Sequence, residues 1–399
     1  MGDKRSKVWC GLMAGLAVLF LAGVFPLWGQ DFKGEFKMGH TTCLSGTGAP
    51  WGIALKRGFE MAAEDINAAG GVLVKGQRLK FVNVVYDDGY VISKAQANAH
   101  RLITQDNVKY LSVTGSAPTL AIQPITEPKK IILNSYSSGL SFLKPSNYYT
   151  FKPYFTATET PAVMYPFLKR TAPDFKTVAL MNPDDESGWE CSDSSRKVIQ
   201  SVGGYKIVAN VFTDRTVADL YPVLTGVLAK KPDIIDAGIT PAGQFSVLVK
   251  VARESGFKGP IFTLEVFLSS LFKVAGEKAA EGVLLNVFPT PPTDLARKIF
   301  DQYRSKYGEE MTPLAMQHYQ APWFIKAAVE KAETTETDQV MAAMEKLVYR
   351  DKSVFGGPLK LSGRDIFGID RRISMSMAIS KIVNGKLELQ EIAEMLPGF

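Results

Sequence analysis

The chain has 399 residues, of which 46% are hydrophobic and 22% are charged, and this composition is typical of a globular protein long enough for two domains. Its formal net charge is +6, but acidic and basic residues are interspersed and no basic run carries interleaved aromatic residues. The composition therefore argues against a nucleic-acid-binding protein.

The first residues, 1–29, have the pattern of a signal peptide. Basic residues precede an uncharged apolar run over 11–25, which is short for a membrane span, and Pro26 ends the run. Gly29 provides a small residue for cleavage. We therefore expect an exported, periplasmic protein cleaved near Gly29, with an uncleaved N-terminal anchor as the alternative.

Residues that could support catalysis or metal binding are few. Beyond the N-terminal segment the chain has two cysteines, Cys43 and Cys191, which are too few for a disulfide framework or a zinc site. We expect the two cysteines to lie in different domains and predict that both are free thiols in the open state of the protein. No P-loop, HExxH or G-x-S-x-G motif occurs, so we predict no metal, no cofactor and no catalytic residue. His40 beside Cys43, with no orienting acid nearby, is the one enzyme alternative.

Strands and helices alternate in the first half of the chain. Short apolar segments predict strands over 36–40, 79–86, 109–113 and 130–134. Helices are predicted over 52–71 and 92–105. The first of these helices places Leu55, Phe59, Ala62 and Ile66 on one face, and a pair of glycines ends it.

The second half continues the same alternation. Strands are predicted over 176–182, 206–212, 233–239 and 259–264, and helices near 159–170, 188–201, 218–230 and 242–255. Further helices are predicted over 294–307, 313–332 and 336–347, followed by a hairpin of 357–365 with 371–383. Such alternation indicates parallel sheets covered by helices on both faces, here two α/β lobes. Because no flexible linker separates the halves, the chain is expected to cross between the lobes several times.

Loops rich in hydroxyl groups follow three predicted strands, over 40–50, 114–119 and 134–139. Ligands of open parallel sheets bind at the carboxyl ends of strands, where helix N-termini offer free backbone N–H groups. Three uncharged loops of this kind can bind an anion such as a carboxylate without an arginine. Trp51 directly follows the first loop.

The order of several segments resembles the substrate-binding proteins of branched-chain amino acid type ABC transporters, which have the type I periplasmic-binding fold. The most specific segment is "LSGTGAPWGIALKRGFEMAAEDINAAGGV", and "GSAPTLAIQPI" and "HYQAPWFIKAAVEKA" are similar to further family segments. The resemblance implies two α/β lobes of parallel sheets joined by a three-crossover hinge. It places lobe 1 at 30–152 and 287–351, and lobe 2 at 153–286 and 352–399.

The resemblance also implies ligand-binding residues in lobe 1. Trp51 would form a wall against the ligand side chain. Ser116 and Ala117 stand where the family has a Ser-Ser pair. The stretch Ser137, Ser138 and Gly139 stands where the family grips the ligand carboxylate.

Lobe 2 departs from the family pattern. Ser187 and Thr240 stand where amino-acid binders of the family often have tyrosines, and Glu265 would bind the ligand ammonium. The carboxylate grip is thus largely kept while the opposite wall differs.

These patterns predict a receptor and not an enzyme. The leading hypothesis is an exported protein that closes on a small carboxylate, with an amino acid favoured, and delivers it to the membrane permease of an ABC transporter. A binder of an amine-free organic or aromatic acid is the first alternative, and a ligand sensor on the same fold is the second.

Overall fold

Nine segments of alternating structure build the N-terminal part of the computed structural model, which describes residues 31–46, 49–154, 159–215, 217, 219–264, 266, 268–373 and 375–393. The strands here are β1 (Glu35–Thr42), β2 (Val72–Val74), β3 (Gln77–Asp87), β4 (Tyr110–Thr114), β5 (Ile132–Tyr136) and β6 (Thr150–Phe151). The helices are α1 (Ala49–Ala68), α2 (Ile92–Thr104) and α3 (Ser116–Thr126). The signal-peptide prediction for 1–29 lies outside the described residues.

The rest of the chain continues the alternation and then becomes mainly helical. The strands are β7 (Thr177–Pro183), β8 (Lys206–Thr213), β9 (Ile234–Asp236), β10 (Ile261–Thr263), β11 (Leu284–Leu285), β12 (Leu361–Ser362), β13 (Arg372–Ile373), β14 (Met377–Val383) and β15 (Lys386–Ala393). The helices are α4 (Glu159–Thr171), α5 (Glu186–Val202), α6 (Tyr221–Leu228), α7 (Ala242–Glu254), α8 (Leu268–Ala275), α9 (Glu277–Ala280), α10 (Asp294–Tyr307), α11 (Pro313–Ala332), α12 (Thr337–Glu345) and α13 (Arg364–Phe367).

Two sheets organise these elements into two lobes. The first has the strand order β2-β3-β1-β4-β5-β6, and the second has the order β15-β14-β11-β10-β9-β7-β8. The strands from β3 to β6 and from β11 to β8 run parallel, whereas β2, β14 and β15 pair antiparallel. The predicted parallel α/β fold is thereby confirmed.

The predicted apolar face of α1 is the buried one. Leu55, Phe59, Ala62 and Ile66 are all at most 2% exposed. The same helix lies against α11, because a Cβ added at Gly58 would come within 2.3 Å of the Ala315 carbonyl oxygen. The helical segment 294–345 therefore packs on the first sheet, although β11 before it and β14 after it belong to the second.

The chain consequently passes between the lobes three times. The first passage follows β6 and the third precedes β14. These two run side by side, since the Lys152 N–H donates to the Arg371 carbonyl (2.7 Å) and the Ile373 N–H donates to the Lys152 carbonyl (2.8 Å). Paired extended segments of this kind can bend together, which suits a hinge.

The C-terminal hairpin differs from the prediction. The predicted pairing of 357–365 with 371–383 exists only at β12 and β13, where Leu361 opposes Ile373 and Ser362 opposes Arg372. The longer hairpin joins β14 to β15 through Asn384 (φ 50°) and Gly385 (φ 72°). An Asn-Gly pair is the preferred two-residue hairpin turn because both residues tolerate positive φ, so the sequence did carry the signal.

Candidate functional site

A cavity of about 130 Å³ lies between the carboxyl ends of the strands of the two sheets. Its lobe 1 side, including the start of α11, contributes Trp51, Leu55, Tyr90, Thr114, Gly115, Tyr136, Ser137, Ser138, Tyr154, Thr312 and Leu314. Its lobe 2 side contributes Ser187, Arg215, Ile239, Thr240, Pro241, Ala242, Thr263, Leu264 and Val266. The cavity lies where an open parallel sheet binds its ligand.

In each lobe one helix at the cavity, α1 in lobe 1 and α5 in lobe 2, starts against the strand that precedes it. A Cβ at Gly52 would lie 2.0 Å from the Cys43 carbonyl oxygen, and a Cβ at Gly188 would lie 2.0 Å from the Pro183 carbonyl oxygen. Only glycine permits so close an approach at these positions. The residue before each glycine, Trp51 in α1 and Ser187 in α5, is thereby held at the cavity.

Five of the nine predicted site residues line the cavity, namely Trp51, Ser137, Ser138, Ser187 and Thr240. Ser116, Ala117 and Gly139 are not among the lining residues. Glu265 lies outside the described residues.

Ser116 links the two lobes. Its hydroxyl lies 2.7 Å from the hydroxyl of Ser187 and accepts a hydrogen bond from the Gly139 N–H at 3.0 Å. Ser116 thereby connects Gly139, after β5, to Ser187 of lobe 2. Ser137 is held by the Ser135 hydroxyl at 3.0 Å.

Ser138 is a lining residue with unused hydrogen-bonding capacity. Neither its hydroxyl nor its backbone N–H has a hydrogen-bond partner in the described part of the chain. The N-terminus of α3 begins at Ser116, one strand away. Free N–H and hydroxyl donors beside a helix N-terminus favour an anionic group in this end of the cavity.

The opening loop contributes less than the sequence predicts. The Ser45 hydroxyl donates to Asp87 at 2.6 Å, and the same carboxylate accepts the backbone N–H groups of Leu44 (2.8 Å) and Gly89 (2.9 Å). The loop hydroxyl is therefore used to fold the loop onto the end of β3. Thr47, in the same loop, lies outside the described residues.

A carboxylate of lobe 2 closes one side of the cleft. Glu190, in the second turn of α5, accepts hydrogen bonds from the backbone N–H groups of Leu140 and Ser141, the latter at 2.9 Å. Glu186 accepts the Ser141 hydroxyl at 3.0 Å. The two lobes therefore touch each other directly beside the cavity.

The other side of the cleft combines aromatic rings with a cation. The rings of Trp51 and Tyr90 lie edge to face with centroids 6.5 Å apart. The Arg215 guanidinium, from the loop after β8, stands 5.8 Å from the Trp51 ring centroid, and its Nε donates to Asp185 at 2.5 Å. Burial raises the pKa of the Tyr90 hydroxyl, so that side chain is a neutral donor at physiological pH.

Sequence reasoning missed four prominent lining residues, Tyr90, Tyr136, Tyr154 and Arg215. Tyr90 and Arg215 follow β3 and β8 within three residues, so the strand-end rule applied to every strand would have found them. Tyr136 ends β5, and Tyr154 lies in the first passage between the lobes.

A buried lysine lies behind this lining. The Lys152 Nζ donates to the Gly139 carbonyl at 3.3 Å and stands 4.8 Å from the Tyr154 ring centroid. Burial lowers the pKa of Lys152 to about 7, although Glu159 and Glu190 act to raise it. This amine therefore connects the hinge electrostatically to the Glu190 contact.

The enzyme alternative finds no support in the ionisation of its two groups. Burial raises the pKa of the Cys43 thiol to about 11, and burial lowers the pKa of His40 to about 3. The thiol is thus protonated at neutral pH, whereas a nucleophilic cysteine needs a thiolate. Cys43 and Cys191 are both free and buried in the structure.

The described residues contain no group of three His, Cys, Asp or Glu side chains that could hold a metal ion. None of their helices combines the length and the apolar character that crossing a membrane requires.

Comparison with known proteins identifies relatives of the chain. The sequence pattern of the periplasmic binding protein family matches residues 35–386. The leucine-, isoleucine-, valine-, threonine- and alanine-binding protein of Pseudomonas aeruginosa is 25% identical over 325 residues, which cover 75% of this chain and 79% of that protein.

Solved structures show the same fold. A solute-binding protein of an ABC transporter from Rhodopseudomonas palustris BisB5, in complex with 3,4-dihydroxybenzoic acid, has a TM-score of 0.75 at 19% identity, covering 91% of this chain and 98% of that one. A branched-chain amino acid transporter substrate-binding protein from Streptococcus pneumoniae, in complex with isoleucine, has a TM-score of 0.74 at 20% identity, covering 90% and 99%. The family pattern spans most of the sequence and the two-lobed fold agrees with it. The chain therefore belongs to the periplasmic binding protein family, whose members bind solutes and are not enzymes.

Proposed function

We propose that the protein is an exported receptor of an ABC transporter, which closes its two lobes on a small carboxylate and delivers it to a membrane permease. The observation that carries this proposal is the free hydroxyl and N–H of Ser138, which face a cavity enclosed by both lobes. A cavity of about 130 Å³ suits a ligand the size of an amino acid or a single-ring acid.

Each lobe has a separate task in this mechanism. Lobe 1, at 30–152 and 287–351, offers the carboxylate grip, and lobe 2, at 153–286 and 352–399, closes over it. The N-terminal segment 1–29 directs export and is removed near Gly29.

The ligand carboxylate is received by Ser137 and Ser138, and Trp51 forms a wall against the rest of the ligand. Ser187 and Thr240 complete the wall from lobe 2. We favour an amino acid as the ligand, with its ammonium bound by Glu265. If the closed cleft buries the Glu265 carboxylate, that carboxylate needs a positive partner, because an unpaired buried charge costs several kcal/mol. The ammonium group of an amino acid would be that partner. The P. aeruginosa relative, which binds amino acids, supports this choice.

An amine-free aromatic acid is the second candidate. Four aromatic side chains line the cavity, namely Trp51, Tyr90, Tyr136 and Tyr154, and Arg215 is the one charged residue among the described lining residues. Aromatic rings pack favourably on one another in edge-to-face or offset arrangements. The R. palustris protein bound to 3,4-dihydroxybenzoic acid has the same fold.

A pair of titrations separates the two candidates. Calorimetry should compare phenylalanine with 3-phenylpropanoate, and leucine with 4-methylpentanoate, on the wild type and on Glu265→Gln. If the ligand is an amino acid, the deaminated analogue should bind at least about tenfold more weakly, and Glu265→Gln should narrow the gap.

Glu254→Gln, an exposed carboxylate of the same lobe, is the matched control and should leave the gap unchanged. Deaminated analogues that bind as tightly as the amino acids would favour the aromatic acid. A receptor also returns its ligand chemically unchanged, which mass spectrometry of the released ligand checks.

A further inference from the structure

Arg215 is the feature of the cavity that the proposed carboxylate grip does not explain. It lines the cavity from lobe 2 and stands over the Trp51 ring of lobe 1. Its side chain is only 23% exposed. A guanidinium so placed is directed towards whatever occupies the cleft.

The order of the strands sets how far Arg215 lies from the carboxylate grip. Ser137 and Ser138 follow β5, whereas Trp51 follows β1, and β4 lies between these two strands. Neighbouring strands are about 4.8 Å apart, so the ends of β5 and β1 are separated by about 10 Å. Arg215, over the Trp51 ring, therefore stands at the β1 end of the cavity, away from the grip at β5.

The guanidinium has donors to spare at that position. Its Nε is used by Asp185 at 2.5 Å, while Nη1 and Nη2 have no hydrogen-bond partner among the described residues. Asp185 is itself held in place, because it caps α5 by accepting the Gly188 N–H at 3.0 Å. The ion pair thus fixes the guanidinium and leaves its outer edge unpaired.

The apolar end of a leucine-like ligand would be a poor partner for this edge. It would cover the two Nη groups without offering them an acceptor, and buried donors left unpaired are costly. An oxygen of the ligand at this end would satisfy them, since the planar fork of arginine is suited to carboxylate and similar oxygens.

We propose that the ligand is a small carboxylate that also carries an oxygen acceptor at its opposite end, received by Nη1 and Nη2 of Arg215. The acceptor is a hydroxyl, an amide carbonyl or a second carboxylate, about one aromatic ring or a short chain away from the first. This inference depends on the proposed carboxylate receptor, and it holds for an amino acid and for an amine-free acid alike, because Arg215 acts at the other end of the cavity.

The test compares pairs of carboxylates in which one member carries the distal oxygen and the other does not. The two aromatic pairs differ by a single hydroxyl group, and the amino-acid pair has side chains of similar size. Benzoate is compared with 4-hydroxybenzoate, phenylacetate with 4-hydroxyphenylacetate, and leucine with glutamine, by thermal shift and calorimetry. In the pairs that bind, the member with the distal oxygen should bind wild-type protein at least about tenfold more tightly. Arg215→Met should reduce this ratio to about one.

Arg170→Met is the control, since Arg170 is an exposed arginine of α4 paired with Glu391, and it should keep the wild-type ratio. Arg215→Gln is the second variant if Arg215→Met fails to fold, and the wild-type ratio is informative without either. Pairs that bind the wild type equally, or a ratio that survives in Arg215→Met, would overturn the role of Arg215 and leave the carboxylate receptor standing. If no carboxylate of the panel stabilises the wild type, the proposed receptor function is wrong, and the role of Arg215 is wrong with it.

Discussion

Replacing Glu190 by glutamine should weaken the closed state of the cleft. The Glu190 carboxylate reaches from α5 to the backbone N–H groups of Leu140 and Ser141, directly after the predicted carboxylate grip. Opening the lobes must break both hydrogen bonds and return the carboxylate to water. The substitution removes the charge and places an NH₂ group where one of the two oxygens accepted.

The size of the effect follows from the hydrogen bonds. Each bond to a charged group is worth about 1.5–3 kcal/mol, whereas a neutral one is worth about 1 kcal/mol. Glutamine keeps one neutral bond and loses the other, so the closed state should be destabilised by about 2–5 kcal/mol relative to the open state. If the free protein is mainly open, this loss appears fully in the dissociation constant, as an increase of at least about 30-fold and at most about 4,000-fold.

Stopped-flow binding and small-angle scattering measure this effect. The contact forms only after the lobes close, so the dissociation rate should rise and the association rate should change little. Glu190→Gln with ligand should also show a larger radius of gyration than the wild type at equal, subsaturating ligand concentration.

Asp193→Asn is the matched control, because Asp193 is an exposed acid of the same helix that faces only Arg196, 4.0 Å away. A dissociation rate that is the same in Glu190→Gln and in the wild type would refute the role of this contact in closure.

Three further predictions concern binding and pH. Ser138→Ala should cost about 1.5–3 kcal/mol of binding by calorimetry with unchanged melting temperature, and Trp51→Ala a comparable amount. His40, with its pKa lowered to about 3 by burial, and His318, lowered well below its usual range, are protonated more readily when unfolded. Stability measured by urea should therefore fall as pH drops below 6.5, by about 2 kcal/mol from His40 at pH 5 and further through His318. Lys152, with its pKa near 7, should make the wild type gain stability relative to Lys152→Met as pH rises from 7 to 10.

The helices and strands were largely accessible from the sequence because their periodicity is local. The face of α1 that carries Leu55 and Phe59 is buried as predicted. The short strand β2 was missed, because three residues are too few for a period. The hairpin β14–β15 was missed because the segment 357–365 also alternates apolar and polar residues and was paired with β14. The turn at Asn384 and Gly385, which indicates the correct pairing, was overlooked.

Site residues could be predicted from the sequence only where the topology of a single lobe determines their position. Ser137 and Ser138 follow a strand, so their position in the cavity follows from the topology of lobe 1. Glu190 and Arg215 are different, because each contacts a residue of the other lobe, and that contact places it at the site. From the sequence Glu190 is an acid on a helix and Arg215 a basic residue in a loop, and no local pattern indicates that α5 meets the loop after β5 or that β8 faces Trp51.

Amino-acid substitutions should affect ligand binding differently at the two ends of the cleft. At the β4 and β5 end, the groups offered to a ligand are backbone N–H groups and small hydroxyls, whose positions depend on the parallel sheet and on the start of α3. Most substitutions there leave the N–H groups in place, so a carboxylate grip is retained. At the β1 and β8 end, the groups are the side chains of Trp51, Tyr90 and Arg215, and one substitution replaces a donor or a wall outright. The side chains at this second end should therefore determine which ligand is preferred. Substitution of Arg215 should change which carboxylate binds most tightly, whereas substitution of Ser138 should lower the affinity for all carboxylates alike.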